Sequence, residues 1–171
     1  MKGYIQVYTG NGKGKTTAAL GLTLRAVGAD KKVFFAQFVK GQIYSEIKAL
    51  QRFFPLVEVR QYGLTCFIHD KPTQADIDAA KAGFKEVSDI ILSGKYDIVV
   101  LDEANIAIYY KLFSVNDLIE VLKQKPDETE IIITGRKVEP ELIEIADLVT
   151  EMQEVKHYYT KGVMARTGIE F

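Results

Sequence analysis

The stretch from Gln6 to Leu20 reads QVYTGNGKGKTTAAL, and its order of residue types decides the fold. Tyr4, Ile5, Val7 and Tyr8 make an apolar, β-prone run ahead of a glycine turn, Gly10-Asn11-Gly12-Lys13-Gly14. Lys15-Thr16-Thr17 then opens a helix rich in Ala and Leu. Strand, glycine loop and helix in that order is the context of a phosphate-binding loop, or P-loop. Glycines let the backbone curl until successive N–H groups converge on one anion, and the helix N-terminus adds free donors and the positive end of its dipole. Lys15 places a point charge on the outer phosphates, and the Thr16 hydroxyl is suited to Mg²⁺. In the general pattern a glycine is separated from G-K-[ST] by four residues, and Thr9 stands at that position here. The expectation is binding of a nucleoside triphosphate or something shaped like one.

The rest of the chain is consistent with one domain, residues 1–171, built around that loop. At 171 residues, with 47% apolar and 26% charged residues, the composition is that of an ordinary globular domain with a substantial core. A net charge of −1 provides no overall field for nucleic acid or an anionic membrane. Aliphatic runs such as Ile98 to Leu101 are strand length, far short of a membrane span, and no signal segment is expected ahead of the P-loop strand. A cytoplasmic protein is expected. The single cysteine, Cys66, rules out an intramolecular disulfide and any multi-cysteine metal site.

Helical and strand patterns alternate along the chain. A helix from Lys15 to about Val27 stops at Gly28, and Val33 to Phe38 is hydrophobic enough to be a strand buried on both faces. Residues 45–54 read as a short helix and Val57 to Arg60 as a strand. Thr73 with Asp76 resembles a helix-start box, followed by an apolar stripe at 77, 80, 84, 87 and 91. Tyr96 to Leu101 is a buried strand, Ser114 and Asp117 start another helix, and Thr129 to Thr134 is a further strand. Pro140 suits a first helical position, leading to a last strand from Leu148 to Met152. The pattern predicts an α/β fold, P-loop NTPase-like (RecA-like), with a mainly parallel sheet and helices on both faces.

Ligands bind such sheets at the carboxyl ends of the strands. That rule singles out residues 10–17, Gln37 to Gly41, Asp102-Glu103 and Gly135-Arg136. Asp102 and Glu103 follow four aliphatic residues, the expected position for carboxylates that hold Mg²⁺ beside a triphosphate. Arg136 could aim a five-donor guanidinium at phosphate oxygens or make a surface salt bridge. Arg25, about two turns into the helix, could reach a nucleotide or be solvated. His69 and His157 lie far apart without a carboxylate cluster, so structural roles are expected. Cys66 reads as a small apolar residue.

Several segments then suggest a family. TGNGKGKTTAALG, QFVKG, VVLDEAN, IIITGR, ADLVTEM, VKH and ARTGIEF occur in the order seen in CobA-type ATP:corrinoid adenosyltransferases, and the resemblance covers nearly the whole chain. It also accounts for Thr9. The resemblance implies transfer of the 5′-deoxyadenosyl group of ATP to the cobalt of a reduced corrinoid, with the whole triphosphate leaving. Lys15, Arg136 and Glu103 are the implied catalytic residues. Thr9, Gly10, Asn11, Gly12, Lys13, Gly14, Lys15, Thr16, Thr17, Arg25, Gln37, Lys40, Leu64 and Phe67 are implied in binding ATP or corrinoid. Thr16, Asp102 and Glu103 are implied for Mg²⁺. A homodimer and a reduced flavoprotein electron donor are also implied.

Two departures stand out. Family members often carry Gly-Phe-Thr-Trp in the corrin-facing loop, where this chain has Gly63-Leu64-Thr65-Cys66 and then Phe67. The extension that many carry before the P-loop strand is absent from this sequence. Leu64 and Phe67 are expected to form an apolar wedge against the corrin, with an ordinary hydrophobic loop anchor as the alternative. Two other functions remain open on the residues alone: a P-loop ATPase or kinase with Glu103 orienting its nucleophile, and a non-catalytic nucleotide sensor.

Overall fold

The computed structural model describes residues 2–64 and 71–171. Its strands are β1 (Ile5–Thr9), β2 (Val33–Phe38), β3 (Val57–Tyr62), β4 (Ile98–Asp102), β5 (Glu130–Thr134) and β6 (Leu148–Glu151). Its helices are α1 (Lys15–Val27), α2 (Ser45–Phe53), α3 (Gln74–Ser93), α4 (Ala104–Tyr109), α5 (Val115–Lys123) and α6 (Pro140–Ile145), with a 3₁₀ turn at Tyr158–Lys161. The alternation follows the sequence pattern except for α4, whose six residues are too few to show a helical period.

The helix boundaries have local causes. Thr73 and Asp76 form a reciprocal capping box at the start of α3, and Gly94 ends that helix in the left-handed region. At the start of α5 the Ser114 hydroxyl accepts from the N–H groups of Asn116 and Asp117. Pro140 begins α6, where its missing N–H costs nothing.

The six strands form one sheet in the order β3-β2-β4-β5-β1-β6, and every pairing is parallel. Alternate residues of β2 enter two separate cores. Phe34, Ala36 and Phe38 pack with Val87 and Ile91 of α3, Ala104 and Ala107 of α4, Leu118 and Leu122 of α5, and Leu142 of α6. Val33 and Phe35 pack on the other face with Ala19 and Ala26 of α1 and Ile47 and Leu50 of α2. A parallel sheet covered on both faces leaves its strand ends as the place for a ligand. Among the described residues, no helix is long and apolar enough to cross a membrane.

Candidate active site

The P-loop leaves β1 at Thr9 and enters α1 through Gly14, whose φ of 124° is open to glycine and strained for other residues. No side chain caps the first turn of α1 and no acidic residue lies in it, so its free donors face the cleft. The neighbouring strand β6 shapes the loop: Gly12 N–H donates to the Met152 carbonyl at 2.7 Å, and Met152 N–H to the Thr9 carbonyl at 2.8 Å. A Cβ on Gly12 would come within 2.8 Å of the Met152 and Gln153 backbone, so that close approach requires glycine. Lys15 folds back over the loop, its Nζ donating to the Gly10 and Gly12 carbonyls at 2.8 and 2.7 Å. Burial, and then the nearby Arg136 guanidinium, push the Lys15 pKa down.

Asp102 is wholly buried and fully engaged. Its Oδ1 accepts from the Thr16 hydroxyl at 2.8 Å and the Thr134 hydroxyl at 2.7 Å. Its Oδ2 accepts from Gln37 Nε2 at 2.9 Å and Lys40 Nζ at 3.4 Å. Lys40 also stands 3.8 Å from Glu103. Burial works against the Lys40 charge, but Asp102 and then Glu103 outweigh it and raise its pKa. Glu103 is pushed the other way for a carboxyl: burial and then the Asp102 charge raise its pKa. The chain turns sharply where strands end here, with Val39 at φ 62° after β2 and Glu103 at φ 59° after β4. Such backbone in branched or charged residues is costly and gathers at functional sites. The Thr134 hydroxyl, which accepts from Glu103 N–H at 3.0 Å, helps to hold the second of these turns.

Beside these groups lies a cleft of about 840 Å³. Gly12 to Thr17, Lys40, Glu103 and Arg136 form its polar side, with Ile106 and Tyr110 of the α4 region beside them. Ser45, Glu46 and Ala49 of α2, and His157 with residues 168–171, complete the lining. That last segment is fastened to the P-loop. Lys13 Nζ donates to Glu170 Oε1 at 2.9 Å, to the Tyr158 hydroxyl at 3.0 Å and to the Ile169 carbonyl at 3.0 Å. Tyr158 also hydrogen-bonds Glu170.

Comparison with known proteins shows the family of the chain. A family model described as ATP:corrinoid adenosyltransferase BtuR/CobO/CobP matches residues 1–171. The chain belongs to the ATP:corrinoid adenosyltransferase family. It is 36% identical to the corrinoid adenosyltransferase of Pseudomonas aeruginosa, over 99% of this chain and 84% of that protein. It is likewise 36% identical to corrinoid adenosyltransferase CobA of Salmonella typhimurium, over 99% of this chain and 86% of that one. Among solved structures, the flagellar accessory protein FlaH of Methanocaldococcus jannaschii shares the fold. The TM-score is 0.57 at 11% identity, over 88% of this chain and 71% of that chain.

Within this adenosyltransferase the sequence-expected residues fall into three groups. Gly12, Lys13, Gly14, Lys15, Thr16, Thr17, Lys40, Glu103 and Arg136 line the cleft. Others stand behind its wall: Thr9 and Gly10 contact the β6 end, and the Asn11 carbonyl accepts from Arg136 Nη2 at 3.1 Å. Asp102 and Gln37 are buried, so Gln37 works through Asp102. Arg25 is exposed on the last turn of α1, outside the lining. Leu64 is 39% exposed, and its backbone lies so close to Gly41 that a Cβ there would approach within 2.4 Å. Phe67, Cys66 and His69 lie outside the described residues. His157 caps the 3₁₀ turn, its Nδ1 accepting from Tyr159 N–H at 3.1 Å.

Sequence reading missed Ser45, Glu46, Ala49 and residues 168–171 as cleft lining. The ARTGIEF motif was a signal for the last of these, but without periodicity it had no placement.

Proposed function

We propose that the cleft binds ATP with its triphosphate on the P-loop and transfers the 5′-deoxyadenosyl group to a reduced corrinoid. The carrying observation is the convergence of Lys15, Lys40 and Arg136 with the free donors of α1 on one cleft. Cob(I) supplies the electron pair that forms the Co–C5′ bond, and the C5′–O bond breaks with its pair going to triphosphate. Lys15 and Arg136 stabilise the charge that grows on that leaving group. Because the nucleophile belongs to the substrate, the protein needs no general base.

The oxygen donors here suit Mg²⁺. Thr16 donates its proton to Asp102, which leaves the hydroxyl lone pairs for a hard cation. Asp102 and Glu103 stand by as carboxylates, directly or through water. Bound there, Mg²⁺ would share the triphosphate charge. The chain's own part is to fix that hydroxyl, since Asp102 is held by Thr134 and Gln37.

The RecA-like label rests on β5 lying between the P-loop strand β1 and the acidic strand β4. Leu64 and Phe67 are assigned to an apolar wedge on the corrin's lower face, aromatic and aliphatic groups being suited to exclude water and base. A cytoplasmic homodimer served by a reduced flavoprotein completes the reading, on the strength of the family resemblance.

The test is product analysis with ATP and chemically reduced cobalamin. Inorganic tripolyphosphate with adenosylated corrinoid is expected. ADP would point to phosphoryl transfer, and unchanged ATP to a nucleotide sensor.

A further inference from the structure

Asn105, in the first turn of α4, is 1% exposed and touches no part of the cleft lining through its own polar atoms. Its Nδ2 donates to the Gly135 carbonyl at 3.0 Å. Its Oδ1 has no hydrogen-bond partner among the described residues. The amide orientation is fixed, because only the nitrogen can face a carbonyl oxygen. An unpaired buried oxygen is costly, so this residue is poorly chosen for core stability alone. Its one bond falls on the residue before Arg136.

The contact is close as well as polar. Gly135 has φ 133°, and a Cβ on it would lie 2.9 Å from the Asn105 Cβ and 3.2 Å from Ile106 N. Glycine adopts that conformation without strain, and at the end of β5 its N–H is held by the Tyr8 carbonyl at 3.2 Å, which leaves the carbonyl side to be fixed. Asn105 fixes it from the side, and Arg136 leaves the turn with Nη2 on the Asn11 carbonyl of the P-loop. We infer that Asn105 is a positioning residue: by holding the Gly135 carbonyl it aims the Arg136 guanidinium at the triphosphate end of the cleft. This deepens the adenosyl-transfer reading and rests on it for the role of Arg136.

The experiment is a double-mutant cycle on the whole protein with Asn105→Ala, Arg136→Ala and the pair. ATP affinity is measured by calorimetry and adenosylation by steady-state kinetics. Asn105→Ala is expected to lower kcat/KM and weaken ATP binding about 10-fold, roughly the effect of one lost hydrogen bond to a charged partner's support. The pair is expected to be no worse than Arg136→Ala alone, within about 2-fold. Asn105→Leu keeps the approximate shape and removes the donor, so it should match Asn105→Ala; it also serves if the alanine variant does not fold. Multiplicative losses in the double variant overturn the inference, as does a silent Asn105→Leu or a silent Arg136→Ala. The binding arm stands apart from the chemistry. A wild-type protein that binds ATP without forming tripolyphosphate would defeat the proposed reaction, while the cycle in ATP affinity would still decide the role of Asn105.

Discussion

The Thr16 hydroxyl donates to Asp102 Oδ1 at 2.8 Å across 86 residues of sequence. This bond ties the first turn of the P-loop helix to the end of β4. In the proposed reaction it sets where a cation and a triphosphate sit together.

Lys15→Ala removes the charge closest to the loop donors. It should lower adenosylation by about 2–4 kcal/mol of transition-state stabilisation, roughly 30- to 1000-fold in rate. Near-normal turnover by a variant with a wild-type circular dichroism spectrum would remove Lys15 from the chemistry.

Asp102→Asn and Glu103→Gln should each raise the Mg²⁺ concentration needed for half-maximal activity. Asp102→Asn should also destabilise the fold, because Thr16, Thr134 and Gln37 all donate to that carboxylate and an amide nitrogen cannot accept. A metal titration unchanged in both variants would take the carboxylates out of the cation site.

Glu170→Gln should loosen the segment 168–171 that lines the cleft. The Tyr158 hydroxyl first, and then Lys13 and Arg166, hold the Glu170 pKa well below the usual carboxylate range. A depressed pKa means the clasp is fully present above that usual range, near pH 4, and is lost only as the pH falls through the lower folded value. Hydrogen exchange should therefore show Arg166 N–H, which donates to Glu170 Oε2 at 2.7 Å, equally protected from neutral pH down to about 5. In the Gln variant that protection should fall across the whole window. Equal protection in both proteins would show that Glu170 does not fasten the segment.

Gly83→Ala tests packing at the root of the loop after β3. Alanine in place of a mid-helix glycine ordinarily gains about 1 kcal/mol. Here the new Cβ would lie 2.3 Å from Tyr62 Cγ, and overpacking of that kind costs about 1–3 kcal/mol. A lower urea midpoint is expected, and a higher one would mean that Tyr62 moves aside freely.

The sequence by itself determined what depends on neighbours in the chain. The P-loop is legible because its glycines, Lys15 and Thr16 are consecutive. The α/β alternation is legible because hydrophobic period is a local property. The acidic end of β4 follows directly from Leu101-Asp102-Glu103, and consecutive motifs carried the family. Tertiary structure alone decided the relations between distant residues. Gln37 is legible as a strand-end residue, and only the sheet order, which puts β2 beside β4, brings its amide to Asp102. Lys13 looked like a phosphate contact, and a segment 157 residues away supplies its partner Glu170. Asn105 closes the VVLDEAN motif, but nothing local pointed to its partner, a carbonyl 30 residues later. The physical reason is the same in each case. A hydrogen bond between remote residues leaves no period or spacing in the sequence, and exists only once the sheet has brought its strand ends together.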